Sequence, residues 1–313
     1  MNGILIITNE HGDQNLDKLD MQILTQLLNN CRTPDRKIGE EVGISGGAVK
    51  SRISKMLDQK VIEKFALKIE PPILGYNVLY FVVTGQDLEY IIKQAKLLGE
   101  PFFVVPCVGG ITVCSIVIKD NPEKKIELAK NLMKDVRVLS IFEAKNLGFR
   151  SELTKTDLEI IEVLLDDPRA RIEQIAKSTG LSTKTITRCL DKLENNEAIQ
   201  FTLVYDPKKF AGYIPFAILV WVEKDVKKTL DVLQKEFEES FLQKPFIAMN
   251  QIVLFFYSDD IFKLDEITQN VRKISGIASA DLFIPKKIAF PEQWVKNSIK
   301  SAKKSKRLHL TYQ

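Results

Sequence analysis

Apolar residues recur along this chain first with a helical period and then with a strand period, and the whole succession occurs twice. Leu19, Ile23, Leu24, Leu27 and Leu28 fall three and four residues apart, which gathers them on one stripe of a helix. A short second helix over about Asp35–Val42 offers Ile38 and Val42 and stops at Gly43, a natural helix-ending residue. Gly43-Ile44-Ser45 then makes a tight turn, and Ser45 is a good N-cap for a third helix running to about Lys60. The second copy repeats this as Leu158–Leu165, Ile172–Thr179, the turn Gly180-Leu181-Ser182 and a helix to Glu194. A short helix, a glycine turn and a capped helix form the helix-turn-helix pattern. A β-rich stretch follows each, 62–69 before Pro71-Pro72 and 199–205 before Pro207, and supplies a wing or hinge strand.

The back half of each copy changes period. After Gly75 the pattern predicts strand 78–84, helix 87–98, strands 102–108 and 111–118, helix 122–134 and strand 136–144. After Gly212 it predicts strand 214–223, helix 225–238, strands 245–250 and 252–258, helix 261–274 and strand 276–285. The order βαββαβ predicts a ferredoxin-like, four-stranded sheet with helices on one face.

Shifting the sequence by 137 residues aligns Asp20–Tyr76 with Asp157–Tyr213 without a gap. Ile23/Ile160, Leu27/Leu164, Arg32/Arg169, Gly43/Gly180, Ser45/Ser182, Ile62/Ile199 and Gly75-Tyr76/Gly212-Tyr213 all coincide. The fold class is therefore α+β, with two tandem copies of a winged helix-turn-helix followed by a ferredoxin-like βαββαβ domain. The expected bounds are 16–69 and 153–206 for the helix-turn-helix units, and 75–145 and 212–287 for the sheet domains. Residues 145–153 read as a linker and 292–313 as a basic tail.

Composition narrows the chemistry. Among 313 residues there are only two histidines, His11 and His309, both near the ends, so no histidine-based triad or zinc cluster can be assembled. GxGxxG and GxxxxGK[ST] are both absent. Cys31, Cys107, Cys114 and Cys189 lack CxxC spacing, and Cys107 and Cys114 flank a turn as buried, inert thiols. The longest apolar run, Tyr213 to Val222, is interrupted by Pro215 and falls short of the roughly 18 residues of a membrane span. No catalytic residue, metal ligand or cofactor is assigned, and the chain reads as a cytoplasmic protein with reduced thiols.

Net charge is +4, and its distribution is uneven. Residues 293–313 carry six cations and no acid, which leaves the remainder at −2. Residues 18–64 hold nine basic and six acidic side chains, +3, whereas the equivalent 155–201 hold seven and nine, −2.

Leu19-Asp20-Met21-Gln22-Ile23-Leu24, Gly43-Ile44-Ser45, Val61-Ile62 and Leu74-Gly75-Tyr76-Asn77-Val78 resemble, in order and spacing, the Lrp/AsnC feast/famine regulators. The resemblance covers nearly all of residues 16–287, once per copy, and implies sheet domains of the RAM type that dimerise and often sense amino acids. That family commonly carries Gly-x-x-Asp between the second and third strands of the sheet, lining an effector cleft. Here the turns read Gly109-Gly110-Ile111-Thr112 and Asn250-Gln251-Ile252-Val253, without the aspartate in either, which argues against an amino-acid effector held in the usual way. The candidate effector cleft is thus Gly109, Gly110, Thr112, Asn250 and Gln251.

Double-stranded DNA is the expected partner. In the third helix Val49, Ile53 and Met56 form an inward stripe, opposite Gly47, Lys50, Ser51, Ser54 and Lys55, with Arg52 on the flank. Its second counterpart turns Ile186, Leu190 and Leu193 inward and Lys184, Thr187, Arg188 and Lys192 outward. Ser45, Gly46, Gly47 and Thr183 lie at the helix starts, where the major groove is entered. Gly46-Gly47 reads either as a loosely capped start or as a place of close backbone approach to phosphate. Lys296, Lys300, Lys303, Lys304 and Arg307 recur at three- and four-residue intervals and are expected to contact phosphates. The two copies are expected to pair within the chain as a pseudo-dimer. Two other classes share this architecture: siroheme decarboxylases, which the lack of histidine in the sheet domains disfavours, and ligand sensors without DNA binding.

Overall fold

Side-chain caps set where the helices begin. In the computed structural model, residues 15–304 are described except 86, 134–135, 145–152, 197 and 249. The first copy comprises helices α1 (Lys18–Asn29), α2 (Asp35–Val42) and α3 (Gly46–Asp58), strands β1 (Ile62–Ile69) and β2 (Asn77–Thr84), helix α4 (Leu88–Leu98), strands β3 (Glu100–Pro106) and β4 (Ile111–Ile118), helix α5 (Pro122–Leu132) and strand β5 (Arg137–Ala144). The second comprises α6 (Lys155–Asp166), α7 (Ile172–Thr179), α8 (Thr183–Asn195), β6 (Ile199–Tyr205), β7 (Ile214–Val222), α9 (Val226–Glu236), β8 (Phe241–Ala248), β9 (Gln251–Ser258), α10 (Ile261–Lys273) and β10 (Ile277–Phe283). Helix α11 (Gln293–Lys304) follows. Asp17 and Asp20 form a reciprocal capping box at α1, and Thr154 and Asp157 repeat it at α6. Ser45 and Ser182 cap α3 and α8 through the amides of Ala48 and Thr185.

The expected elements are present, with shifted ends. α3 stops at Asp58 rather than Lys60, because Lys60 takes a left-handed backbone (φ 60°) that cannot continue a helix. β8 starts at Phe241, four residues ahead of the expected 245, and Pro245, which has no amide hydrogen, sits within a register shift between Gln243 and Phe246.

Each copy forms a four-stranded antiparallel sheet, ordered β3-β4-β2-β5 and β8-β9-β7-β10. One face of the first sheet presents Leu79, Phe81 and Val83 to Ile91, Ala95 and Leu98 of α4 and Ala129 of α5. The opposite faces of the two sheets meet across the repeats, where Tyr80 lies 5.7 Å from Phe246 and Phe142 lies 6.3 Å from Trp221 between ring centroids.

The strands after the helical units do not fold back as a wing within each unit. β1 and β6 pair with each other, antiparallel, from Ile62↔Tyr205 to Ile69↔Ile199. Each helical unit consequently completes its core on the other copy. Met21, Ile23, Leu24, Val49 and Ile53 pack with Leu203, Tyr205, Phe210 and Leu242, while Leu158, Ile161, Ile175, Ile186 and Leu190 pack with Leu67, Ile69, Ile73 and Tyr80.

The end of the second copy also crosses over. Val104 and Ala289 exchange backbone hydrogen bonds of 3.0 Å, and the Lys286 amide donates to the Pro106 carbonyl at 2.8 Å, so this segment lines the free edge of β3. α11 then docks instead of extending as a solvated tail. Trp294, 2% exposed, meets Tyr76 and Phe102 edge-on at 5.5 and 5.7 Å, and Val295 and Ile299 are buried beside it. Trp294→Ala should therefore cost about 3–5 kcal/mol of stability, the usual range for emptying a buried aromatic site. Urea unfolding of the two proteins checks this, and a shift under 1 kcal/mol would mean that α11 is only loosely attached.

Candidate nucleic-acid interface

The capped third helix of each unit presents an outward face made by periodicity. In α3, Val49, Ile53 and Met56 are buried, and Gly47, Lys50, Ser51 and Ser54 are exposed. In α8, Ile186, Leu190 and Leu193 are buried, and Thr183, Lys184, Thr187, Arg188 and Asp191 are exposed and line one open hollow. The side chains of Lys50, Lys184 and Arg188 form no ion pair or hydrogen bond with the described residues. Three cations are thereby left exposed on helix faces that none of the described residues covers.

Other expected contacts are engaged internally. Arg52 reaches back to α1, with Nη1 2.8 Å from Asp17 and 2.7 Å from the buried Asp20. Lys192, expected outward, instead pairs with Asp157, and Cys189 donates to the same carboxylate at 2.9 Å. Burial pushes the Asp157 carboxyl up, but hydrogen bonds from Cys189, Lys192 and Thr154 outweigh it and hold the group below its ordinary range. Burial, followed by the Asp157 carboxylate, pushes the Cys189 thiol up to about 12. Lys55 is half-buried, and Ser45 is occupied in capping. Gly46 has a packing reason, because a Cβ there would stand 3.0 Å from the Arg36 Cα, whereas at Gly47 only the Ser45 hydroxyl, 3.9 Å away, would be met.

A pair of arginines joins the units. Arg169 forms a 2.9 Å ion pair with Asp35 and lies 4.9 Å over the Phe65 ring. Its repeat equivalent Arg32 donates to the Pro168 carbonyl at 2.8 Å and lies 5.0 Å over Phe201. The match Arg32/Arg169 is visible in the repeat, but its role at this junction is not, since it depends on which strand lies opposite.

The tail lysines divide. Lys296 pairs with Asp166 at 3.3 Å and Lys303 with Glu162, both acids on α6, while Lys300 is exposed. α11 is described as far as Lys304, and Arg307 lies outside the described residues. At the candidate effector turns, Gly109 and Gly110 take left-handed backbones (φ 81° and 77°), and Thr112 is buried. Asn250 is exposed, and the buried Gln251 Oε1 has no partner among the described residues. Cys107 and Cys114 are both buried, Cys114 opposite Val104 and Cys107 with its amide donating to the Ile111 carbonyl, and burial pushes both thiols up to about 12.

Two helix-turn-helix units with open third helices define a protein built like a DNA-binding regulator. Residues 16–57 match the AsnC-type helix-turn-helix domain, and 153–200 match a winged helix-turn-helix DNA-binding domain. The chain is 31% identical over 109 residues to the HTH-type transcriptional regulator Ptr1 of Methanocaldococcus jannaschii, covering 34% of this chain and 74% of Ptr1. It is 34% identical over 91 residues to LrpA of Pyrococcus horikoshii, covering 28% of this chain and 63% of LrpA. Among solved structures, the siroheme decarboxylase NirDL is 13% identical with a TM-score of 0.46, covering 91% of this chain and 99% of that one. The chain belongs to the Lrp/AsnC family of transcriptional regulators.

The depressed Asp157 carboxyl contributes stability above its unfolded value, about 3.9, and loses it as pH falls through the lower folded value. Asp157→Asn should destabilise the protein at pH 7 by on the order of 2 kcal/mol. The gap to wild type should narrow below about pH 4. Denaturant midpoints at pH 7 and pH 3.5 test this, and a gap independent of pH would assign the loss to packing.

Proposed function

We propose that this chain is a sequence-specific DNA-binding regulator that carries both reading heads of a dimer in one polypeptide. The observation that carries this reading is the set of cations Lys50, Lys184 and Arg188 on the outward faces of α3 and α8, unengaged by any described residue. Such side chains contact phosphate or guanine, and the N-terminal half of the third helix is the part that enters the major groove. Ser51 and Thr183 add small polar donors on the same faces, the Thr187 hydroxyl being given to the Thr183 carbonyl at 3.0 Å, and Gly47 leaves the helix start open to a phosphate.

The β1–β6 ladder and the facing sheets support an internal pseudo-dimer, with each copy supplying the surface that a second chain would supply. The order β3-β4-β2-β5, with α4 and α5 on one face, supports a ferredoxin-like reading of each sheet domain. An amino-acid-like effector would enter at the turns around Gly109-Gly110 and Asn250-Gln251, but neither offers the carboxylate of the family's usual cleft. A regulator of this kind works where the DNA is, in the cytoplasm.

Charge sets the division of labour. The first head carries +3 and the second −2, and partners outside each span offset part of both, Glu292 and Asp17 at Lys64 and Arg52 of the first, Lys303 and Lys296 at Glu162 and Asp166 of the second. The first head therefore supplies more of the sequence-independent pull, and within α11 Lys300 is the better-placed phosphate contact.

Fluorescence anisotropy of the full chain on duplex DNA at increasing salt tests the reading. The logarithm of affinity should fall linearly with that of salt, and Lys50→Ala should lower the slope by about 0.9. Lys50→Ala should weaken binding on all sequences, and Lys184→Ala should weaken it less. Lys296→Ala should leave the slope unchanged. Failure to bind any duplex at low salt would overturn the proposal, and equal losses at Lys50 and Lys184 would overturn the inequality of the heads.

A further inference from the structure

The two recognition faces have kept one side and replaced the other. Under the 137-residue shift the inward pairs are Val49/Ile186, Ile53/Leu190 and Met56/Leu193, all apolar and all buried. The outward pairs are Gly47/Lys184, Lys50/Thr187, Ser51/Arg188 and Ser54/Asp191, all exposed and different in chemistry at every position. The heads therefore share a core and not a reading surface.

Asp191 is the informative member. It lies on the open face of α8 with Lys184, Thr187 and Arg188, has no ion-pair partner among the described residues, and has a serine as its counterpart in the first head. A carboxylate brought against DNA is repelled by phosphates unless it meets a base-edge donor. In the major groove it accepts well from the cytosine N4 amine. Arg188, three residues earlier on the same face, has the fork that matches guanine O6 and N7. In the first head the matching positions are serines, and Lys50 is a point charge.

We infer that the second head is the base-specific one, with Arg188 reading a guanine and Asp191 a cytosine in the same half-site, and that the operator is consequently asymmetric. This rests on the DNA-binding reading above. A two-chain dimer of identical heads favours a palindrome, whereas this chain binds in one orientation and distinguishes the two directions of a duplex. The arginine contacts Arg169–Asp35 and Arg32–Pro168 hold the heads to each other, so the separation between half-sites is fixed.

Selection of the full-length protein on randomised duplexes, followed by sequencing, tests the inference. Wild type should recover a non-palindromic motif with a guanine and a cytosine in one half. Arg188→Ala should reduce the guanine preference roughly ten- to hundredfold and leave the other half of the motif unchanged. Asp191→Asn should move the neighbouring preference from cytosine to adenine, the base whose N6 and N7 suit an amide, and should strengthen overall binding by removing a negative charge. Both side chains are exposed, and matching thermal melts check that the variants remain folded. A palindromic wild-type motif, or an unchanged motif in both variants, would overturn the inference while leaving DNA binding intact. Recovery of no motif by wild type would overturn sequence-specific binding itself.

Discussion

Seven residue pairs between β1 and β6 hold the architecture together, because this one ladder forms a wall of both helical cores. At one end Ile69 and Leu67 stand opposite Ile199 and Phe201 beneath the second head. At the other, Ile62 stands opposite Tyr205 beneath the first. Phe65, opposite Leu203, touches both clusters. The pairing is close to two-fold symmetric: Ile69 meets Ile199, the repeat equivalent of Ile62, and Ile62 meets Tyr205, one residue from the equivalent of Ile69. A bulge between Ile62 and Lys64 accounts for that residue. Each large side chain buried here contributes roughly 1.5–3 kcal/mol. Separating the strands would open both heads at once, so neither head is an independent folding unit.

The ladder alone would leave the heads free to rock about a two-stranded ribbon, and the surrounding contacts oppose that. Arg169 and Arg32 each span the junction with one polar bond and one aromatic face, and the Thr202 hydroxyl donates to the Leu28 carbonyl at 2.9 Å. Below them the sheets meet through Tyr80, Phe246, Phe142 and Trp221. α11 braces the assembly by joining α6 to β3 through Trp294 and its flanking ion pairs. In the proposed two-headed reading these bonds bear on function through geometry, since a rigid spacing between third helices fixes which half-site separation can be spanned.

Much of this was legible in the sequence where local rules decide. The apolar stripe of α1, the serine caps of α3 and α8 and the βαββαβ order all depend on neighbours within a few residues. What lies opposite a strand is a different kind of information. Alternation in 62–69 says that one face is buried, but it cannot say that residue 201 stands beside Leu67 in the ladder. Arg52 shows the same limit at a single side chain, since the helical wheel puts it on the flank and only the position of α1 turns it inward. The lysine spacing of the C-terminal segment marks only one side of its helix. Trp294, Val295, Ile299 and Ala302 form the other side, an apolar stripe at three- and four-residue steps that predicts docking as plainly as the lysines predict exposure.

The buried carboxylates show what the duplication holds constant and what it releases. Asp20 and Asp157 occupy the same place in the capping box of α1 and α6, and both are almost inaccessible to water. A buried carboxylate must be hydrogen-bonded or paired, so something on the third helix has to answer it. In the first copy the answer is Arg52, and in the second it is Lys192, one turn further along, with the Cys189 thiol filling the place of Arg52. The constraint therefore falls on the carboxylate being satisfied, and not on which side chain satisfies it. Once Lys192 takes that role, position 189 is free to become a buried thiol. The same logic extends outward across the helix. Positions that face the core are bound by its volume in both copies, whereas those that face away are bound only by what they touch outside the protein. In one fused chain the two sets of outward residues are separately encoded, and nothing in the fold requires them to agree.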